Sequence, residues 1–242
     1  MTSERVQVPN SANINAPPEL NFSIPKLEDI NPPHKQWNWQ CAELPTDVLL
    51  LTVKDPEFLT CYFYLENVFK SYCPELGWVY FGEIGEADSK EKTKVSLVRC
   101  AMGALQVRGS LIVARNAIRF LKPKAVICVG FCGGLNQEKA KLGDVVISAK
   151  LSTYSSKKVM ENGREINRGI KANVSTNMGK LILNAADGWK SPLKNAEERK
   201  VKVHCNGEIL SGPELVDFKG RQEELLEQHP NAIAIEMEGE GT

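Results

Sequence analysis

Short apolar runs alternate along the chain with segments whose apolar residues repeat at helical spacing. The runs 47-DVLLLTV-53 and 125-AVICV-129 are continuous, as is typical of strands that are covered on both faces. A third run, 143-GDVVIS-148, follows after a short loop. Strands that alternate with helices in this way predict an α/β domain with a largely parallel or mixed sheet.

Two helices are predicted around these strands. Asp55 can cap the first helix, and Pro56 suits its first turn. The apolar residues that follow at helical spacing are Phe58, Cys61, Tyr62, Leu65 and Phe69. The second helix is predicted from about Gly109 to Leu121, and Pro123 ends it. The inner face predicted for this second helix consists of Leu111, Ile112, Ala114 and Ile118.

The remaining elements have weaker signals. Strands are predicted at 78–81, 95–98, 201–205 and 231–238, and helices at about 176–187 and 217–228. Residues 151–175 are polar and mixed, and they predict no element.

Composition narrows the range of functions. The chain has 242 residues, enough for one sizeable domain, and its 30 basic residues balance 30 acidic ones. A nucleic-acid-binding domain usually carries a basic footprint, so no nucleic-acid partner is expected. No apolar stretch of about 18 residues occurs, and the N-terminus has no hydrophobic signal core. We therefore expect no membrane partner and a cytoplasmic location.

The cysteines agree with that location. They are seven in number and irregularly spaced, which favours reduced thiols over a disulfide framework. Cys128 and Cys132 form one pair without a second pair to complete a zinc site, so no metal is expected.

The first 44 residues differ from the rest of the chain. Residues 1–44 are rich in Pro, Asn and Ser and predict an extended or disordered arm, followed by a domain over 45–242. Trp37 and Trp39 could anchor this arm on the domain surface. A partner-binding segment is the alternative interpretation.

Three strand ends carry the residues of chemical interest, because ligands of open α/β sheets bind at the carboxyl ends of strands. The first is 130-GFCGG-134, which follows a buried strand. Glycine lets backbone amides approach a ligand closely, so this turn could bind an anion, a sugar or a base edge. A tight turn without a ligand explains the residues equally well.

The second strand end is 233-IAIEMEGEG-241. If the strand continues far enough, alternation places Glu236 and Glu238 on one side and Met237 on the other. A carboxylate there can accept hydrogen bonds from the vicinal hydroxyls of a ribose, beside an apolar methionine wall. An exposed acidic strand end is the alternative.

The third strand end carries Glu57, just after the first strand. A carboxylate at the mouth of a pocket could activate water as a general base. A carboxylate that stabilises the first helical turn is the alternative, and the residues alone favour it.

Six segments occur in an order that resembles the purine nucleoside and uridine phosphorylase superfamily, which includes the methylthioadenosine/adenosylhomocysteine nucleosidases. They are 47-DVLLLTVKDPEF-58, 99-RCAMGALQ-106, 125-AVICVGFCGGLN-136, 143-GDVVIS-148, 207-GEILSGPELV-216 and 233-IAIEMEGEG-241. The Gly-Gly-Leu turn with the following Gly-Asp-Val-Val, and the Glu-Met-Glu-Gly end, are the most specific of these.

The resemblance implies a three-layer α/β/α sandwich with a central mixed sheet. It also implies action on the N-glycosidic bond of a purine or related nucleoside. By match of motif, Glu57 and Glu238 would be catalytic: Glu57 would activate water, and Glu238 would hold the ribose and stabilise its developing cation. The substrate-binding positions would be Met237, Glu236, Gly103, Gly133, Gly134 and Leu215. No cofactor is implied, phosphate could be a co-substrate, and family members are commonly homo-oligomers.

The chain also departs from the family pattern. Cys128 and Phe131 stand where phosphorylases have an arginine and a Ser or Thr, which argues against phosphorolysis by the usual pocket. Leu215 replaces the base-stacking aromatic residue of the nucleosidases, and Pro213 replaces an aspartate. By the resemblance, the sequence ends at Thr242, before the last strand and helix of the family and the general acid they carry. We therefore expect either a fragment or isoform, or a degenerate member of the family.

These departures lead us to expect a weak or inactive catalyst, because leaving-group protonation contributes about 10²–10⁴-fold. Two alternatives remain open. One is a non-catalytic sensor that binds a nucleoside or nucleotide, and the other is an interaction domain that keeps the fold alone.

Overall fold

The computed structural model describes residues 18–40, 43–86, 89 and 91–241. Residues 1–17 of the predicted arm lie outside the described residues. The strands are β1 (Val48–Thr52), β2 (Glu66–Cys73), β3 (Gly77–Ile84), β4 (Thr93–Arg99), β5 (Ala125–Cys128), β6 (Gly133–Gly134), β7 (Val145–Thr153), β8 (Lys157–Val159), β9 (Glu165–Asn167), β10 (Lys171–Asn173), β11 (Val203–Ser211) and β12 (Ala232–Glu236).

The helices lie between these strands. They are α1 (Asp55–Phe63), α2 (Ser110–Leu121), α3 (Thr176–Leu183), α4 (Ala196–Arg199) and α5 (Lys219–Gln228), with short 3₁₀ helices at Leu27–Asp29 and Gly239–Gly241. Among the described residues, no helix has the length and apolar character needed to cross a bilayer.

Ten of the strands form two mixed five-stranded sheets, and β8 and β9 pair in a separate two-stranded sheet. The order of the first sheet is β2-β3-β4-β1-β5, with β1 parallel to both β4 and β5. The order of the second is β10-β7-β11-β12-β6, with β7, β11 and β12 parallel. The predicted α/β class with mixed sheets is confirmed. The two sheets have no strand in common. The chain leaves the first sheet after β5 and enters the second at β6, which pairs with β12.

The central strand β1 is covered on both faces, as its continuous apolar run predicts. Leu49 and Leu51 are fully buried in a cluster that includes Val113 and Ala117 of α2. Leu50 lies in a separate cluster with Phe58 of α1. Helices therefore cover both faces of the first sheet, which is the layering expected of an α/β/α sandwich.

The predicted first helix is too long. It ends at Phe63, and Phe69 lies on β2, where it stacks on Phe81 with ring centroids 5.1 Å apart. The cap assigned to Asp55 is also wrong, because Lys54 is the N-cap residue and Asp55 is already helical. The spacing of the apolar residues does not show where the helix ends, because Phe69 on the following strand has the same spacing as a helical residue.

The predicted inner face of α2 is largely wrong. Ala114 is buried, but Leu111, Ile112 and Ile118 are 41%, 48% and 49% exposed. The helix instead turns its small residues towards β1, which allows a close approach to the sheet. Val113 and Leu121 are buried in the same cluster, whereas Leu111, Ile112 and Ile118 face outward.

The second half of the chain contains more strand than predicted. β7 continues to Thr153, and β8, β9 and β10 occupy a region for which no element is predicted. α3 ends at Leu183, earlier than predicted, and β11 extends to Ser211. Strands β8, β9 and β10 are largely exposed and carry Lys, Glu and Asn. Pairing with neighbouring strands outweighs the low strand propensity of these residues.

The described part of the arm runs extended over the domain. Leu20 forms a bridge with Leu193, and the N–H of Lys35 donates to the carbonyl of Lys70 at 2.8 Å on the edge of β2. Trp37 then stacks on Phe69 at a centroid separation of 5.9 Å. The arm thus covers an edge strand that would otherwise present unpaired backbone groups.

A buried polar network joins β7, β9, β11 and the end of α5. Glu208 accepts a hydrogen bond from the Ser152 hydroxyl at 2.7 Å and pairs with Lys150 at 3.0 Å. Nε2 of buried His229 lies 2.7 Å from the side-chain nitrogen of Asn167, while its Nδ1 is 3.9 Å from Glu208. Burial lowers the pKa of His229, although Glu208 opposes the shift.

Acidification from pH 8 to pH 5.5 should destabilise the fold through His229. Because the folded-state pKa lies below the unfolded value of about 6.5, the unfolded chain binds the proton first. The stability that neutral His229 contributes is fully present above about pH 6.5, and it is lost as the pH falls towards the folded-state pKa. Lys150 and Lys171 also disfavour the charged imidazole.

Melting temperatures across this range should therefore fall less steeply for His229→Gln than for the wild type. Exposed His34 provides the control, and a His34→Gln slope as flat as that of His229→Gln would contradict the assignment.

Candidate active site

Glu57 links helix α1 to the Gly-rich turn after β5. Its Oε2 accepts hydrogen bonds from the N–H groups of Val53 and Lys54, both at 2.8 Å. Its Oε1 accepts one from the N–H of Phe131 at 3.1 Å. The carboxylate is buried at the carboxyl ends of β1 and β5. It therefore stabilises the first helical turn and also lies against the turn that the sequence singles out.

Glu238 lies where the end of β12 meets the loop after β4. Its Oε1 accepts a hydrogen bond from the N–H of Gly103 at 2.9 Å, and the Ser110 hydroxyl donates to its backbone carbonyl. The carbonyl of Met237 accepts from the N–H of Ala104 at 3.1 Å. Gly103 has a φ of 86°, which favours glycine in this turn. The structure thus brings Gly103, Met237 and Glu238 together.

Glu236 braces the turn that presents Glu238. Its Oε2 accepts hydrogen bonds from the N–H groups of Glu238 at 2.7 Å and Gly239 at 2.6 Å. Burial raises the pKa of Glu236, although these bonds oppose the shift. The alternation predicted for Glu236, Met237 and Glu238 is wrong, because β12 ends at Glu236. The Glu236 carboxylate accepts hydrogen bonds from the N–H groups of Glu238 and Gly239, and the chain bends there into the 3₁₀ helix Gly239–Gly241.

Gly133 and Gly134 lie beside β12 as strand β6. They pair with Ile235 and Ala234, and a Cβ on Gly133 would lie 3.2 Å from Cγ2 of Ile235. The two glycines thus border the strand that leads to Glu236. They reach this position through strand pairing, whereas the sequence predicts a turn.

Leu215 lies in the loop after β11. This loop begins beside Glu236, because the N–H of Gly212 donates to the Glu236 carbonyl at 3.2 Å. The Leu215 side chain is 87% exposed, and Phe218 further along the loop is 71% exposed. The structure therefore places Leu215 at the same edge as the carboxylates but not in contact with them.

Two serines of this site are missed by the sequence reasoning. Ser110 is buried at the start of α2, and Ser211 is buried at the end of β11, where its Oγ accepts from the N–H of Glu240 at 2.8 Å. Ser211 belongs to a segment that carries the family resemblance, which could have indicated it. No sequence signal indicates Ser110.

Cys128 ends β5, next to the Gly-rich turn. The residue is exposed, yet the surrounding protein desolvates its thiol and raises the pKa to about 12. The carboxylates of Glu236, Glu238 and Glu57 contribute to the same shift. The thiol is therefore neutral at physiological pH. Among the described residues, no group of three or more His, Cys, Asp and Glu side chains could hold a metal ion.

Carboxylates and glycines lie together at the carboxyl ends of parallel strands, which is where the ligands of open α/β sheets bind. Residues 68–240 match the phosphorylase superfamily, and the chain belongs to that superfamily. It is a nucleosidase- or phosphorylase-like domain, as the sequence predicts.

One curated relative is the death domain-containing ATP nucleosidase of Amphimedon queenslandica. It is 28% identical over 144 residues, which cover 53% of this chain and 26% of the relative. The chain therefore spans about a quarter of that relative's length.

Solved structures share the fold at lower identity. The 5′-methylthioadenosine/S-adenosylhomocysteine nucleosidase of Neisseria meningitidis, in complex with methylthio-immucillin-A, has a TM-score of 0.60 and 20% identity, covering 82% of this chain and 78% of its own. The corresponding nucleosidase of Colwellia psychrerythraea, in complex with adenine, has a TM-score of 0.61 and 15% identity, covering 82% and 75%. A futalosine hydrolase mutant of Helicobacter pylori has a TM-score of 0.58 and 16% identity, covering 81% and 79%.

Proposed function

We propose that this domain is a weak hydrolase of the N-glycosidic bond of a purine nucleoside, with Glu57 and Glu238 as catalytic residues. The observation that carries the proposal is that backbone N–H groups hold both carboxylates at the carboxyl ends of neighbouring strands, Glu57 against the Gly-rich turn after β5 and Glu238 against the loop after β4. Structures of the same fold that contain adenine or methylthio-immucillin-A support a purine-type ligand.

The proposed reaction gives each carboxylate its own role. Glu238 accepts hydrogen bonds from the ribose hydroxyls and stabilises the positive charge that develops at C1′. Glu57 takes a proton from a water molecule whose oxygen forms the new bond to C1′. The C1′–N bond breaks, its electron pair goes to the base, and the base takes a proton from solvent. The products are ribose and the free base.

The other site residues shape the pocket in this proposal. Met237 offers an apolar wall to the ribose, and Glu236 positions Glu238 by holding the backbone turn between them. Gly133, Gly134 and Leu215 border the base.

Water is the proposed nucleophile because the centre of the site is anionic. Cys128 is a neutral thiol there, and the nearby carboxylates of Glu57, Glu236 and Glu238 would repel a phosphate ion. Phosphate as a co-substrate is the less favoured option, and the reaction requires no cofactor.

The test is base release by the purified, folded chain. Adenosine, inosine, guanosine, uridine and methylthioadenosine are incubated with and without phosphate, and free base is followed by chromatography. Release without phosphate supports the proposal, and release that requires phosphate overturns the choice of water. Binding of a nucleoside without release would identify the domain as a sensor.

We also propose that copies of this chain associate through the outward face of α2. Leu111, Ile112 and Ile118 are exposed on this face, and Leu105 and Val107 in the preceding loop are 72% and 88% exposed. Contiguous exposed apolar surface of this kind marks interaction sites. The same loop holds Glu238 through Gly103, so association would adjoin the active site.

Ile112→Glu should shift the chain towards monomer, because a carboxylate in an apolar interface loses hydration without gaining a partner. Sedimentation velocity over a range of concentrations measures the change. Leu181→Glu on α3, where Leu181 is 68% exposed, is the matched control and should leave the distribution unchanged. A wild-type chain that is monomeric throughout would contradict the proposal.

The cytoplasm is the proposed location. Among the described residues, Cys61, Cys73, Cys100, Cys128, Cys132 and Cys205 are free thiols, as is typical of a reducing compartment.

A further inference from the structure

Arg221 on α5 holds the loop that follows β11. Its Nε and Nη2 donate to the two carboxylate oxygens of Glu214, both at 2.8 Å. Its Nη1 pairs with Glu224, three residues further along the same helix, at 2.7 Å. The Arg221 side chain is 18% exposed and that of Glu214 is 42% exposed. Because two parallel bonds between a guanidinium and a carboxylate fix direction as well as distance, the helix holds the Glu214 side chain in one place.

A buried tyrosine holds the backbone of the same residue. Tyr154 follows β7 and is fully buried. Its hydroxyl oxygen accepts from the N–H of Glu214 at 3.3 Å, and its O–H donates to the Glu214 carbonyl at 3.4 Å. The tyrosine ring also packs against Gly212, where a Cβ would lie 2.6 Å from Cε1 of the ring. The side chain and the backbone of Glu214 are therefore both anchored.

These anchors determine the position of Leu215. On one side of it is Glu214, which Arg221 and Tyr154 hold. On the other side is Val216, which packs against a buried cluster that includes Leu210. Leu215 itself is 87% exposed, although burial of a leucine side chain is favourable. Because both of its neighbours are fixed, the loop keeps this apolar side chain in solvent.

The loop begins at the sheet edge that carries the proposed catalytic carboxylates. The N–H of Gly212 donates to the Glu236 carbonyl at 3.2 Å, and Glu236 holds the backbone turn that leads to Glu238. Leu215 is three residues beyond Gly212. An apolar side chain that is held in solvent beside a site releases ordered water when the apolar face of a ligand covers it. Leu215 is therefore available to a flat, apolar part of the ligand.

We propose that Arg221 is a positioning residue for the base of the nucleoside: through Glu214 it holds Leu215 where the flat face of the purine covers the leucine. The inference rests on the proposed function, because it assigns a further role in the same site. Arg221 takes no part in the chemistry. A contact that the bound substrate and the transition state make equally lowers KM and leaves kcat unchanged.

The experiment measures kcat and KM for adenosine, and the binding of adenine by titration calorimetry, with the full chain. Arg221→Gln removes the charge and the pair of parallel bonds. It should raise KM and the Kd of adenine about 10-fold, the scale of the burial of one leucine side chain. Its kcat should stay within about twofold of the wild-type value. Arg221→Lys should restore the binding only in part, because an ammonium group cannot form both bonds to Glu214.

Two further variants distinguish this role from a general effect on folding. Glu214→Gln removes the same ion pair from the side of the loop and keeps the backbone bonds to Tyr154. It should weaken adenine binding as Arg221→Gln does, and it tests the proposal even if Arg221→Gln does not fold. In a Leu215→Ala background, Arg221→Gln should cause no further loss, because both changes act through one contact.

Glu224→Gln is the matched control. It removes the ion pair that Arg221 makes within α5 and keeps the pair with Glu214. KM and adenine binding should therefore remain at their wild-type values.

Salt provides a second readout. Salt screens a partly exposed ion pair, whereas adenine and adenosine carry no charge for it to screen. Higher ionic strength should therefore weaken adenine binding by the wild type and leave binding by Glu214→Gln unchanged. A pair that only stabilises the fold would not make adenine binding depend on salt.

Each result decides the inference. Equal adenine binding by the wild type, Arg221→Gln and Glu214→Gln would overturn it, as would a loss in kcat at unchanged KM or additive losses with Leu215→Ala. If no nucleoside releases its base, the proposed function fails, and adenine binding then decides this inference separately. Adenine binding that depends on both Glu214 and Leu215 supports it, and binding that is absent or independent of Glu214 overturns it.

Discussion

Glu57→Gln should lower the rate of base release by about 10²–10⁴-fold, the usual contribution of a general base. An amide has nearly the same shape as the carboxylate, but it cannot take a proton from water at neutral pH. The substituted side chain keeps only one oxygen for the three N–H groups that Glu57 now accepts. We therefore also expect a loss of about 0.5–2 kcal/mol in unfolding free energy, as for a lost helix cap.

The measurement is kcat at saturating substrate, with the melting temperature of each variant as a check on folding. Glu197→Gln is the matched control, because Glu197 is an exposed carboxylate in the first turn of α4. It should leave kcat unchanged. If Glu57→Gln releases base as fast as the wild type, Glu57 has only its helix-capping role, and another group must activate the water.

Leu51→Ala should cost about 3–5 kcal/mol of unfolding free energy. Leu51 is fully buried on β1, the strand between β4 and β5, and removal of its side chain would leave a cavity beneath α2. Substitutions of buried leucine by alanine lose both the transfer free energy and the cavity term. Since the same strand leads to the N–H groups that hold Glu57, loss of its packing should also loosen the active site.

Urea unfolding followed by circular dichroism measures this change. Leu181→Ala is the comparison, because Leu181 is 68% exposed on α3 and should change the stability by less than about 0.5 kcal/mol. A cost below about 1 kcal/mol for Leu51→Ala would show that the first sheet tolerates a cavity, and that its core packs less tightly than the structure indicates.

The sequence predicts the fold best where a continuous apolar run indicates a strand that is buried on both faces. β1 and β4 follow from their apolar runs, and α2 lies within one residue of its predicted start. Prediction is weakest for exposed strands such as β8, β9 and β10, which have no alternating pattern. Their pairing partners determine them, and those partners lie elsewhere in the chain.

The candidate site shows the same division. Glu57, Gly103 and Glu238 come from a resemblance in the order of motifs, and the structure places them at one sheet edge. The bond between Gly103 and Glu238 joins residues 135 positions apart, so no local pattern could indicate it.

The sequence by itself determined the α/β class, the strand β1 that is covered on both faces, and the superfamily to which the chain belongs. These properties follow from residue types read in order, since a continuous apolar run is stable only where both faces are buried. The tertiary structure alone decided that β12 stops at Glu236, that α2 turns its alanines inward, and that the loop after β4 holds the Glu238 carboxylate. These features depend on contacts between segments that are far apart in the sequence. Such contacts determine which acceptor each backbone N–H group reaches and which side chains fit into the core.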